Sequence, residues 1–221
     1  MKVLELFSGT QSVSKAFRAR GHKTLTVDYD PIFSEDGNEY GIKTDLTMDV
    51  MDLTKEMIIE YLGGEPDVIW DSMDCTTYSV AAIYHHRNKE DDGNLAPKSE
   101  KAKNADRVAQ KALEIISWFP NAVYFIENPR GAMRKMRWMQ DYPRYTISYC
   151  QYGDDRMKPT DIWTNHPEPN FRPMCKPGAD CHTSAPRGSI TGVQGQKNAI
   201  ERSRIPEDFC NHIVDICEQV M

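Results

Sequence analysis

The stretch Asp67-Val68-Ile69-Trp70-Asp71-Ser72-Met73-Asp74-Cys75-Thr76-Thr77-Tyr78-Ser79 decides how the chain folds and where its chemistry lies. Val68-Ile69-Trp70 is a short apolar run of the kind buried in parallel sheets, and the polar residues after it form the loop leaving the strand's carboxyl end. Open α/β sheets collect ligands at that edge. A free cysteine alone is most often a small buried hydrophobe. Cys75 gains weight from its company. Upstream, Leu4-Glu5-Leu6-Phe7-Ser8-Gly9-Thr10 is a strand ending in a glycine turn; downstream, Phe125-Ile126-Glu127-Asn128-Pro129 is one ending in a carboxylate. Strands that end this way can bring their polar groups to one crevice.

The 221 residues can bury one sizeable core, so a single domain over 1–221 is the simplest organisation. No apolar run reaches membrane-spanning length, and MKVLELF enters a strand without a signal-peptide pattern; a soluble, cytoplasmic protein is expected. Six cysteines without regular pairing point to reduced thiols rather than a disulfide framework. A formal net charge of -6 argues against a protein that coats nucleic acid through bulk electrostatics. Charge is uneven, however. Arg130-Gly131-Ala132-Met133-Arg134-Lys135-Met136-Arg137 directly follows the Glu127 strand, with Arg144, Arg156 and Lys158 beyond it. That position favours phosphate contact over a merely solvated face.

Leu6-Phe7-Ser8-Gly9, then Asp74-Cys75-Thr76-Thr77-Tyr78-Ser79, then Glu127-Asn128-Pro129, in this order, resemble the first, fourth and sixth motifs of cytosine-5 DNA methyltransferases. The similarity is closest to small, phage-type members that carry Cys-Thr-Thr-aromatic-Ser and Glu-Asn-Pro-Arg-Gly. It covers most of the chain. The resemblance implies an α/β, Rossmann-like S-adenosylmethionine-dependent methyltransferase fold, a mostly parallel sheet with a C-terminal β-hairpin. It also implies DNA as partner, with Cys75 adding to carbon 6 of a flipped cytosine and Glu127 acting as the acid on ring nitrogen 3. Two departures stand out. Asp74 replaces the proline most members carry before the cysteine, and an adjacent carboxylate disfavours a thiolate. Little chain remains for a target-recognition domain, so recognition should be short or lax. Two other readings stay open: a relative acting on another pyrimidine substrate or with another donor, and an inactive relative that binds nucleic acid or cofactor.

Lys2–Phe7 reads as a strand, and Ser8-Gly9-Thr10-Gln11-Ser12 as the turn into a helix with Val13, Ala16 and Phe17 on its apolar face. A helix N-terminus after such a turn receives anionic groups. The resemblance places the methionine part of S-adenosylmethionine at Phe7, Ser8, Gly9, Thr10, Gln11 and Ser12, although members usually have further glycines where Gln11 and Ser12 stand. Lys23–Val27 is a second strand closed by Asp28 and Tyr29, which suit the ribose hydroxyls and the adenine ring. Residues 33–40 read as loop and Lys43–Val50 as a third strand. Asp49, with Asp45 as the alternative, corresponds to the family's contact to the adenine amino group; Val50 and Ser72 complete the donor site. A helix over Leu53–Leu62 is ended by Gly63-Gly64 and Pro66.

Residues 84–106 are densely charged with little to bury and read as an unstructured, mobile lid over the flipped base. His85 and His86 there read as surface histidines, with metal or phosphate contact as the other possibility. Val108–Trp118 is a crossover helix with Val108, Ala112, Ile115, Ile116 and Phe119 inward. Tyr145–Tyr152 and Asp161–Thr164 form a hairpin around the turn Gly153–Thr160. The family takes supporting arginines from this region; Arg156 and Lys158 are both available, and Arg156 is grouped with the catalytic pair. Residues 165–205 form a small loop-rich insertion. In it Cys175, Cys181 and His182 suit a structural zinc, with Cys210, His166 or Cys150 as fourth ligand, or are unconnected loop residues. Gly188–Ser203 reads as loop, and Glu207–Val220 as a helix packing Phe209, Ile213, Ile216 and Val220 on the sheet.

Overall fold

The structure, a computed structural model, describes residues 1–30, 41–184 and 199–220. In chain order these form β1 (Lys2–Leu6), α1 (Ser12–Ala19), β2 (Lys23–Asp28), β3 (Leu46–Thr47), α2 (Lys55–Leu62) and β4 (Val68–Asp71). After the Cys75 loop come α3 (Ile83–His86), β5 (Arg87–Lys89), β6 (Leu95–Pro97), α4 (Glu100–Ser117) and β7 (Val123–Pro129). β8 (Arg144–Ser148), β9 (Pro159–Thr164), α5 (Ala199–Ser203) and α6 (Glu207–Val220) complete the chain.

β1 and β4 are apolar and buried on both faces, which suits them to the middle of a parallel sheet covered by helices. The sheet has seven strands in the order β3-β2-β1-β4-β7-β9-β8. The first five run parallel, and β9 is antiparallel to both β7 and β8. This is the expected Rossmann-like, mostly parallel sheet with its C-terminal hairpin. Leu4, Leu6, Ile69 and Ile126 face α2 and α4, while Val3, Val68, Trp70, Phe125 and Ile162 face α1 and α6. Leu6 pairs with Asp71 and Asp71 with Ile126, so β1 and β4 end level, and β7 runs on past them through Glu127 to Pro129 at the same edge of the sheet.

Several boundaries differ from the sequence reading. The third strand shrinks to Leu46–Thr47, because Asp45 turns inward to accept bonds from Thr26 N at 2.9 Å and Thr26 Oγ1 at 2.7 Å. The stretch 84–106 is not unstructured: it holds α3, the β5–β6 hairpin and the first turns of α4, which begins at Glu100 behind a Ser99 cap rather than at Val108. Gly63 ends α2 in the left-handed conformation, as its position suggested. α6 runs over the expected residues, but Val220 is exposed and Val214 and Cys217 are buried instead. Residues 33–40 and 188–198 lie outside the described residues; Ala199–Ser203, read as loop, is α5. Among the described residues no helix is long and apolar enough to cross a membrane.

Candidate active site

The loop after β4 is fastened to the end of β7 and to the loop that follows it. Asn128, fully buried, donates from Nδ2 to Met73 O at 3.2 Å, and Ala132 N donates to Tyr78 O at 2.7 Å. Gly131 lies so close to this loop that an added Cβ would come within 2.5 Å of Tyr78 O. The glycine of Glu-Asn-Pro-Arg-Gly is therefore required by the approach of two backbones. Arg130 N bonds Pro159 O at 2.9 Å and ties in the start of β9. Cys75 is half-buried between these loops.

Electrostatics identify the groups around the sulfur. Burial, then the charges of Glu127 and Asp74, push the Cys75 thiol up to about 11, while Lys158 pulls it down. Burial also raises the Glu127 carboxyl, opposed by Lys158 and by the Tyr149 hydroxyl, which donates to Glu127 Oε1 at 2.9 Å. Lys158 is itself buried; its Nζ lies 4.5 Å from the centre of the Tyr149 ring and donates to Arg202 O at 3.0 Å. Burial lowers its pKa, and Glu127 and Cys75 both oppose that shift. Of the two cations left open by the sequence, Lys158 is thus the one whose charge acts on Cys75 and Glu127. Arg156 pairs with Asp154, Nε to Oδ1 at 2.8 Å.

The predicted donor residues line the same rim around β1, β2 and β4. Asp28 accepts from Gly9 N at 2.8 Å and from Asp30 N at 3.0 Å, and burial raises its carboxyl. Tyr29 is 72% exposed, so one face of its ring is free to receive a flat ligand. Ser8 is buried with no partner for its hydroxyl among the described residues. Thr10 and Ser12 share a hydroxyl contact at 3.2 Å, and Ser12 Oγ accepts from Ile205 N at 3.4 Å. Asp49 caps the short turn at buried Val50 by accepting from Met51 N, while Asp45 is held by Thr26, Tyr61 and Arg18. Ser72 accepts from Trp70 Nε1 at 2.6 Å. Asp71 is fully buried, and neither of its oxygens has a well-formed partner among the described residues.

Two residues that no sequence motif singles out brace the Cys75 loop. Arg87, buried at the start of β5, donates to Thr77 O at 3.0 Å and Thr77 Oγ1 at 3.1 Å, and forks onto Asp106 of α4 at 3.0 and 2.7 Å. Its guanidinium stacks 4.3 Å from the centre of the Tyr78 ring, and Tyr78 Oη donates to Asp106 Oδ1 at 2.7 Å. Part of the basic cluster is likewise internal. Arg134 pairs with buried Asp161, which removes it from the phosphate contacts expected of it; Arg130, Lys135 and Arg137 are exposed, Arg137 beside Asp92 of the hairpin. His85 is exposed, and His86 Nδ1 lies 2.8 Å from Ser99 Oγ. Away from this rim, Cys175, Cys181 and His182 come together with Cys150 rather than with Cys210 or His166.

No protein-family model matches the chain. A Frog virus 3 (isolate Goorha) protein named "Probable DNA (cytosine-5)-methyltransferase" is 27% identical over 237 residues, covering 98% of this chain and all of that one. The chain resembles cytosine-5 DNA methyltransferases along nearly its whole length. Among solved structures, the Entamoeba histolytica methyltransferase EhMeth superposes with a TM-score of 0.51 at 13% identity over 74% of this chain and 52% of its own. That likeness speaks for the fold. The S. pombe Dnmt2 methyltransferase gives a TM-score of 0.49 at 14% identity over 74% of this chain. The chain spans about half the length of these solved structures, 52% and 48%.

Two of the departures from the methyltransferase pattern, Gln11 and Asp74, have a local physical answer. Gln11 sits at φ 55, the left-handed region that glycine enters freely and other residues enter at about 1–2 kcal/mol. Its buried side chain offsets that strain by donating to Lys43 O at 2.8 Å and accepting from Arg18 Nη1 at 2.8 Å. Asp74 stiffens the loop where the usual proline would: its Oδ1 accepts from Thr76 N at 3.0 Å and Thr76 Oγ1 at 2.6 Å. The proline's rigidity is replaced by a side-chain turn, at the cost of a negative charge beside the thiol.

Proposed function

We propose that this protein is an S-adenosylmethionine-dependent DNA (cytosine-5)-methyltransferase, with Cys75 as nucleophile and Glu127 as acid. The observation that carries this reading is the joining of the Cys75 loop to the end of β7, which holds Glu127, with Glu127 and Lys158 acting on the thiol's charge. The viral relative's name supports the substrate class. The unpartnered Ser8 hydroxyl, the Gly9 turn, Asp28 and the exposed Tyr29 ring fit a nucleoside donor with a charged amino-acid end. When bound, S-adenosylmethionine supplies a methyl group activated by its sulfonium.

Carbon 5 of cytosine is a weak nucleophile and needs electrons before it can be methylated. The Cys75 thiolate bonds carbon 6 while Glu127, whose burial favours the protonated carboxyl, gives its proton to ring nitrogen 3. Lys158 steadies both anions, the thiolate before addition and the Glu127 carboxylate after it. Once carbon 5 carries the methyl group, its proton passes to solvent water, the electrons it leaves restore the 5,6 double bond as the sulfur departs as thiolate, and the proton on ring nitrogen 3 returns to Glu127. Tyr149 holds Glu127 through Oε1, which leaves Oε2 as the oxygen to carry the proton. A base inside a duplex must be flipped out to reach this crevice, which costs a few kcal/mol. Exposed Arg130 and Lys135, together with the segment 84–106 closing over the base, would hold the distorted strand.

The test is an oligonucleotide containing 5-fluorocytosine, which cannot lose a proton from carbon 5. Incubation with donor is expected to give a denaturant-stable protein–DNA complex that Cys75→Ala abolishes. Glu127→Gln should slow its formation by about 10²–10⁴-fold. A Cys75→Ala protein that methylates as well as the parent would overturn the assignment.

A further inference from the structure

Cys150 lies in the short turn that leaves β8, and Cys175, Cys181 and His182 lie on the loop that follows β9. Cys175 Sγ is 3.2 Å from Cys181 Sγ and 3.5 Å from His182 Nδ1; Cys181 Sγ is 3.6 Å from both Cys150 Sγ and His182 Nδ1. All four ligand atoms lie within 4.8 Å of one another. A tetrahedral zinc with Zn–S of about 2.3 Å and Zn–N of about 2.0 Å requires ligand-to-ligand edges of roughly 3.5–3.8 Å. Four of the six separations, 3.2–3.6 Å, are close to those edges, and the two from Cys150 to Cys175 and His182 are within 4.8 Å. Three sulfurs and one imidazole suit zinc and exclude calcium and magnesium, which take oxygen.

The surroundings also fit a built metal centre. Gln151 Nε2 donates to Cys181 Sγ at 3.4 Å, a contact that stabilises a thiolate. Cys175 N is held by Ser148 Oγ at 3.0 Å and Thr183 N by Asp155 O at 2.8 Å, so both ends of the loop are pinned to the β8–β9 connection. Gly178, at φ 82, supplies the left-handed residue that turns the chain back between Cys175 and Cys181.

We propose that Cys150, Cys175, Cys181 and His182 bind a structural zinc ion through three thiolates and Nδ1, clipping the loop after β9 onto the turn that carries Tyr149. The three thiol protons pass to solvent as the ion enters. Cys150 directly follows Tyr149, and Tyr149 holds Glu127, so the ion steadies the support beneath the acid. That last link rests on the methyltransferase reading; the metal site does not.

Elemental analysis of the full chain, purified without chelator, is expected to find about one zinc per chain. Cys150→Ala and Cys181→Ser should each reduce it to background. Cobalt(II) replacing zinc in the parent protein should give the intense visible bands of a tetrahedral, sulfur-rich site, a readout that holds even if the variants fail to fold. A strong chelator should lower Tm and weaken 5-fluorocytosine trapping together. Metal-free parent protein with an unchanged Tm, a Cys175–Cys181 disulfide in peptide mass spectra, or full zinc retained in both variants would overturn the site. Zinc bound without any DNA trapping would leave the metal site standing and remove the methyltransferase reading.

Discussion

At Cys75 the controlling quantity is the fraction of thiolate. With the thiol pushed up to about 11, only roughly one molecule in a thousand carries a thiolate at pH 8 before substrate arrives. Burial and Glu127 are part of the site, but Asp74 is a separable contribution. Asp74→Asn keeps the acceptor that holds Thr76 N and removes the charge. We expect the alkaline limb of the methylation rate, and of iodoacetamide alkylation at Cys75, to move to lower pH by up to about one unit. The rate at pH 7 should rise several-fold. An unmoved limb would show that the carboxylate exerts no effect on the sulfur. The sequence singled out Cys75 and Glu127 because one lies in the loop after an apolar run and the other closes one, in stretches that resemble two methyltransferase motifs. The choice between Arg156 and Lys158 was not, because it depends on the backbone: Lys158 adopts φ 29, and its side chain lies over Tyr149.

Among the elements, the β5–β6 hairpin is where sequence and structure part most. Its charged, apolar-poor composition gives no periodic signal, and its anchor is a pair 19 residues apart that only the fold brings together. Arg87 is buried with its guanidinium bonded to Asp106, Thr77 and Leu95 O, so the hairpin and α4 are keyed to the loop that aims Cys75. Removing one partner of a buried pair leaves the other charge uncompensated, at about 3–5 kcal/mol. Arg87→Ala should therefore lower the urea midpoint strongly and abolish DNA trapping. Arg87→Lys, which keeps the charge without the fork, should recover only part of both. If Arg87→Ala unfolds at the parent's urea concentration, the pair is not an anchor. α2 and α6, by contrast, were readable from their apolar spacing and from the Gly63 stop. α6 begins and ends where its pattern does, and α2 stops at Gly63.

In the whole molecule the parallel sheet places carboxylates in or beside the core, which the sequence pattern alone does not show. Burial pushes Glu5 up to about 7 and Asp71 up to about 8, and raises Asp28 and Glu127 as well. Each then binds a proton in the folded protein at a pH where the unfolded chain has lost it. The stability that such groups contribute is complete below their unfolded pKa values and declines as pH rises toward the folded ones. Asp71 isolates the effect, because its oxygens lack well-formed partners and its ordinary value of 3.8 lies far below its folded one. Between about pH 4 and pH 8 the folded state must either hold that proton or bury a bare charge. Tm should fall as the solution is taken from pH 5 to pH 8.5. Asp71→Asn, nearly the same shape and never charged, should match the parent at pH 5. At pH 8.5 it should exceed the parent by about 1–3 kcal/mol, a few degrees in Tm, since it removes the cost of an unsatisfied buried group. Parallel Tm curves for the two proteins across that range would mean that Asp71 is solvated or paired in solution.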